Sequence, residues 1–154
     1  VMAERARRVN PSCDVKSIVK LYDPTDEEFI PSLHADFIID AIDDVPAKVA
    51  MAICCWKHKV PEISSMGTGN RLHPELLEIS DIYKTSVCHL ARKMRKALKE
   101  ARVRRLPVVY SREPAHKIIG EGYQPGSISF VPPVSGMLMA GYVIREILKK
   151  KGIQ

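Results

Sequence analysis

The sequence has no C-x-x-C pair, no G-x-G-x-x-G loop and no apolar run of membrane-spanning length, and aromatics make up only 6% of its 154 residues. Each absence removes a class of protein. Cys13, Cys54, Cys55 and Cys88 lack the paired spacing of a zinc ribbon. Cys54 and Cys55 are adjacent and cannot easily close a normal bridge to each other. The plain reading is four reduced thiols in a reducing compartment. The longest apolar stretch, Phe130 to Ile144, is too short for a bilayer and contains Pro132 and Pro133. Val1 to Arg5 is too polar to open a signal peptide. The chain therefore reads as soluble and cytoplasmic, with no membrane association.

What is present describes an ordinary globular domain. Hydrophobic residues make up 45% and charged residues 27%. A domain of this size buries about 70% of its unfolded surface, so it needs neither disulfides nor a structural metal. We read residues 1–154 as a single domain.

The net charge of +6 is concentrated in one segment. Lys84, Arg92, Lys93, Arg95, Lys96, Lys99, Arg102, Arg104 and Arg105 face a single acid, Glu100, between residues 84 and 105. That stretch carries +8 and the remainder carries −2. Its apolar residues, Val87, Leu90, Ala91, Met94, Leu98 and Ala101, recur at three-four spacing, which predicts an amphipathic helix. The ordinary meaning of its charged side is a solvated face. The functional meaning is a polyanion site. The narrow stripe lacks Trp and Phe, which argues against a membrane surface.

Alternating strands and helices fill the first two-thirds of the chain. Residues 1–9 have helical pattern but no N-cap, as in the later part of a longer protein. Val15 to Leu21 alternates as a strand does. Thr25 and Glu28 read as a capping box for a short helix. Phe37 to Ile39 reads as a strand buried on both faces. Asp43 or Asp44 then caps a helix to about His58, with Pro46 in its first turn. Ile63 to Met66, Leu77 to Ile82, Val108 to Tyr110 and Ile128 to Val131 read as further strands. Gly136 to Lys150 reads as the closing helix. Glu113 to Gly126 reads as a mobile loop. The expected fold is α/β and Rossmann-like, in three layers. Its sheet is mixed, parallel in the first part and antiparallel in later strands.

Two strand tips carry candidate chemistry, because ligands in open α/β sheets bind beyond the carboxyl ends of the strands. One is Asp40-Ala41-Ile42-Asp43-Asp44. Three carboxylates in five residues repel unless a cation or donor compensates, and Mg²⁺ is commonly held by one or two carboxylates plus substrate phosphates. Asp43 is the best candidate; Asp44 reads as an N-cap and Asp40 as a strand end. The other tip is Met66-Gly67-Thr68-Gly69-Asn70. Its backbone N–H groups suit a phosphate, although a lone G-x-G is more often a tight turn. Cys88, at the start of the basic helix, is a candidate reactive thiol.

In sequence, these motifs resemble the ThiF/HesA/MoeB superfamily of adenylating enzymes. Asp40-Ala41-Ile42-Asp43 followed by Lys48 is similar to its aspartate motif, and Met2 to Arg5 through Val9 to Pro11 to the preceding helix. Met66 to Asn70, Ile79 to Ser86, Pro107 to Ser111 and Pro125 to Pro132 resemble one branch, the dehydratases of threonylcarbamoyladenosine in tRNA. The resemblance implies ATP and Mg²⁺ as cofactors, tRNA as partner and a homodimer. The reaction it implies is closure of a hydantoin ring through an acyl adenylate. It implies catalytic roles for Asp43 and Lys48, with Asp43 engaging Mg-ATP. It also implies a nucleotide site at Asp40, Asp43, Gly67 and Thr68. The tRNA contact would be Arg92, Lys93, Arg95, Lys96, Lys99, Arg102, Arg104 and Arg105. The family's Gly-rich nucleotide loop and upstream residues are not in this sequence, which resembles only the C-terminal part; alone it is expected to bind ATP poorly and catalyse nothing. Adenylation of a ubiquitin-like sulfur carrier and a non-catalytic nucleic-acid module are the alternatives.

Overall fold

A computed structural model describes residues 1–116 and 125–153. Four strands form one sheet in the order β1-β2-β4-β3: β1 (Ile38–Asp40), β2 (Glu62–Ser65), β3 (Leu77–Asp81) and β4 (Pro107–Ser111). β1, β2 and β4 are parallel, and β3 runs antiparallel to β4 at the edge. The helices are α1 (Met2–Val9), α2 (Phe29–Ser32), α3 (Val45–His58), α4 (His89–Glu100) and α5 (Val131–Lys150).

Period-two alternation sorts β4 between two cores. Val108 and Tyr110 join Ala52 of α3 and Ala91, Met94 and Leu98 of α4. Val109 lies with Ile63, Val131 and Met139, on the α5 side. These are the three layers of the expected α/β fold. Asp44 starts α3 by accepting from the Ala47 N–H at 2.8 Å, with Pro in the first turn. Lys59 ends it in the left-handed region at φ 57°.

The structure corrects four readings. Val15 to Leu21 forms no strand, and Val19 and Leu21 are almost fully exposed. Alternation becomes a strand only against a partner edge, and none among the described residues pairs with it. Ile128 to Val131 is no strand either, because α5 begins at Val131, five residues earlier than expected. Pro132 and Pro133 are tolerated there because first-turn N–H groups need no helical acceptor. β1 is not buried on both faces: Ile39 is 48% exposed, and β1 is an edge of the four-stranded sheet. The short helix before it is entered through Asp26, which accepts from the Phe29 N–H at 3.0 Å, not through Thr25. Of the expected mobile loop, residues 117–124 lie outside the described residues.

Candidate active site

The carboxyl ends of β1, β2 and β4 share one end of the sheet, so the segments 41–44, 66–70 and 112–113 meet there. The three carboxylates after β1 divide their work. Asp40 is 1% exposed and ion-paired with the fully buried Lys48, its Oδ2 lying 2.8 Å from Nζ. The same oxygen accepts from Ser64 Oγ at 2.6 Å, while Oδ1 accepts from the Ile42 N–H at 3.1 Å. Lys48 also donates to the Ile42 carbonyl at 3.0 Å. This network pins the strand tip to α3. Asp44 is occupied as the α3 cap. Asp43 is exposed and has no hydrogen-bond or ionic partner among the described residues. It alone is free for a ligand.

The second tip is held from behind. Arg71, 4% exposed, donates to the carbonyl of Gly67 and, through Nε, to that of Glu113 at 3.1 Å. The carbonyl of Gly67 thus turns inward. The N–H groups of Gly67, Thr68 and Gly69 have no acceptor among the described residues. Gly69 is required by close approach: a Cβ there would sit 3.2 Å from Pro125 Cβ and 3.3 Å from the Gly126 carbonyl. Asn70, at φ 56°, exchanges backbone bonds with Gly126 and His116. Glu113 accepts from the Leu72 and His73 N–H groups and pairs with His116 at 3.0 Å. Burial acts to raise its pKa, and these donors overcome burial and hold it below the ordinary value.

Sequence reading missed Arg71 and Glu113, and gave Asn70 no role beyond its place in the tip. Arg71 and Glu113 stand 42 residues apart, and no spacing rule links two charged loop residues across two strands. The only local signal was Asn70 itself, a residue that tolerates the left-handed region.

The basic segment comprises α4 and the residues that follow it, and most of its cations are solvent-facing. Arg92, Lys93, Lys96, Lys99, Arg102, Arg104 and Arg105 are exposed. Arg95 is half-buried, donating to the Thr85 carbonyl at 3.0 Å and to the Thr85 hydroxyl. It fastens the start of α4 to the segment behind it. Cys88 is 5% exposed, and its Sγ accepts from the Ala91 N–H at 3.5 Å as the helix N-cap. The thiol faces the core rather than solvent. Residues 102–105 lead into Pro107, the amino end of β4. The cations at this end of α4 therefore lie at the end of the sheet opposite Asp43.

In an open mixed α/β sheet, ligands bind beyond the carboxyl ends of the strands, where the acidic tip and the Gly-Thr-Gly tip lie. The ThiF family profile matches residues 1–154, and the chain belongs to that family. It is 31% identical over 166 aligned residues to the tRNA threonylcarbamoyladenosine dehydratase of Bacillus subtilis strain 168, covering 97% of this chain and 65% of that protein. The tRNA threonylcarbamoyladenosine dehydratase of Escherichia coli K12 is 35% identical over 99 residues, covering 64% of this chain and 37% of that one. The crystal structure of the E. coli dehydratase TcdA with AMP matches with TM-score 0.87 and 26% identity, covering 99% of this chain and 65% of that one. The complex with ATP matches with TM-score 0.85 and 26% identity, covering 99% and 64%. The chain thus spans just under two thirds of the length of these solved structures. The Rossmann-like mixed fold is theirs as well.

Proposed function

We propose that this protein carries out ATP-dependent dehydration of threonylcarbamoyladenosine in tRNA. In this reading ATP binds with Mg²⁺ at the crevice beyond β1 and β2. The substrate carboxylate attacks the α-phosphorus and releases pyrophosphate. A nitrogen of the same side chain then attacks the acyl carbon and expels AMP. A hydantoin ring closes, and the nucleoside has lost one water. A free carboxylate is a poor acyl donor, and the adenylate supplies the leaving group.

One observation carries the reading. Among the described residues, Asp43 is the only carboxylate of its cluster without another task, and it follows the strand beside the Gly67–Gly69 tip, whose N–H groups have no acceptor there. An oxygen ligand set of one carboxylate plus phosphates fits Mg²⁺, which would neutralise phosphate charge there. Asp43 would hold the metal, and the Gly67 and Thr68 N–H groups would meet phosphate oxygens. Asp40 and Lys48 act through position: their buried pair fixes where Asp43 stands. The exposed cations of α4 would hold the tRNA backbone, with Arg95 serving the fold. A homodimer in the cytoplasm completes the proposal. No helix among the described residues is long and apolar enough to cross a membrane.

The test uses the full-length protein as the cell makes it, incubated with Mg-ATP and tRNA bearing threonylcarbamoyladenosine. The nucleosides are then digested and weighed. ATP-dependent loss of one water from that nucleoside is expected. Retention of its mass, with ATP and tRNA both bound, would turn attention to adenylation of a carrier-protein C-terminus. Asp43→Ala should abolish turnover and leave tRNA binding unchanged.

A further inference from the structure

A cavity lies at the amino end of the sheet, away from Asp43. It holds about 540 Å³, within the range of small-molecule sites. Its wall combines three rings, Phe37, Trp56 and Tyr142, with Glu62 at the first position of β2. Lys59 and Arg105 also line it, and both are exposed. Glu146, on the same wall, is already paired with Lys149 at 2.9 Å.

Glu62 is the unexplained member. It is 6% exposed, and its Oε1 has no hydrogen-bond partner among the described residues. A buried polar atom without a partner costs about 1–3 kcal/mol, so an acceptor kept in this state calls for a donor from outside. Burial and then the nearby Asp40 charge push Glu62 up to about 8. A carboxyl shifted in this direction keeps its proton to higher pH, and a protonated carboxyl can offer O–H beside C=O. That pair complements an edge offering an amino N–H beside a ring nitrogen, as adenine and cytosine do.

We propose that this cavity is a nucleotide subsite that takes one unstacked base of an RNA chain, reads its edge through Glu62 and holds its phosphate at Lys59 and Arg105. Rings that stack a base, an acid that reads its edge and cations at the mouth are what single-stranded RNA recognition requires. Arg105 belongs to the basic run that continues from α4, so the subsite extends that surface rather than standing apart from it. The inference rests on the reading that RNA is a ligand of this protein. It adds an anchoring point remote from the reacting carboxylate.

Trp56 is the sole tryptophan of the chain, so its emission reports the cavity directly. The experiment titrates the protein with a short single-stranded oligoadenylate, follows Trp56 fluorescence, and measures filter retention of the same oligonucleotide and of tRNA. Saturable quenching is expected. Glu62→Leu should raise the half-saturating concentration about tenfold, and Glu62→Gln, which keeps a donor beside an acceptor, should restore most of it. The leucine variant removes a buried polar atom that lacks a partner, so it should fold; circular dichroism checks this. Retention of the oligonucleotide with unchanged Trp56 emission would overturn the subsite and leave tRNA binding standing. Failure to retain either RNA would overturn both. Equal quenching by free AMP at the same nucleotide concentration would overturn the RNA assignment.

Discussion

Two buried acids on neighbouring strands meet opposite fates. Asp40 closes β1 and aligns with Ser64, while Glu62 opens β2 and aligns with Ile38. Asp40 receives a lysine, a hydroxyl and a backbone N–H. Glu62 Oε1 receives nothing among the described residues. A paired buried charge can hold a structure in one geometry; an unpaired acid keeps its proton or waits for a ligand. The carboxyl end of the sheet has spent its buried charges on rigidity and left Asp43 free. The amino end has left its buried acid unspent, next to exposed cations.

The sharpest way to break this contrast is Lys48→Met, which strands Asp40 without a counter-charge. It should cost about 3–5 kcal/mol in urea unfolding; an unchanged midpoint would show that the pair holds nothing in place. Removing both partners with Asp40→Asn should recover part of the loss.

The pH dependence probes the other acid. The folded value of Glu62, about 8, lies above its ordinary 4.5. Its contribution to stability is therefore complete below pH 4.5 and is lost as pH rises through about 8. The slope is about 1.4 kcal/mol per pH unit inside that window. Urea midpoints at pH 5 and pH 8.5 should diverge for the native protein, and Glu62→Gln should shrink the gap. An equal gap in both proteins would clear Glu62 of the effect.

Smaller effects separate residues that the sequence places side by side. Asp44→Ala should cost about 1 kcal/mol as a lost cap, whereas Asp43→Ala should stay within about 0.5 kcal/mol. Equal losses would put Asp43 in the fold rather than the site. On α4, Arg95→Ala should lower stability by about 1 kcal/mol through its bonds to Thr85. Lys96→Ala should leave the melting point alone and reduce the salt slope of tRNA binding by about 1.

Much of the fold was legible because the local signals agree with the packing. Asp44 with Pro46 marks the start of α3, and the three-four stripe of Ala91, Met94 and Leu98 marks the buried face of α4. Where local and tertiary demands part, the reading failed. Val15 to Leu21 carries the alternation of a strand but has no neighbouring edge among the described residues. Val131 begins α5 although the run before it looks extended. Residues with identical chemistry also diverge by position. Asp40, Asp43 and Asp44 are one motif in sequence; in space they are a buried ion pair, an exposed side chain with no partner among the described residues and a helix cap.

The sequence alone determined the class of fold, the caps and stripe of the main helices, the concentration of positive charge and the family resemblance. All of these follow from short-range periodicity, backbone chemistry and composition. Only the tertiary structure decided which charges are spent. It brought Arg71 against Gly67 and Glu113, turned Arg95 inward to Thr85, buried Cys88 as a cap and left Glu62 Oε1 without a hydrogen-bond partner among the described residues. Burial and pairing depend on residues tens of positions away, and dielectric, unlike periodicity, is a property of the assembled fold.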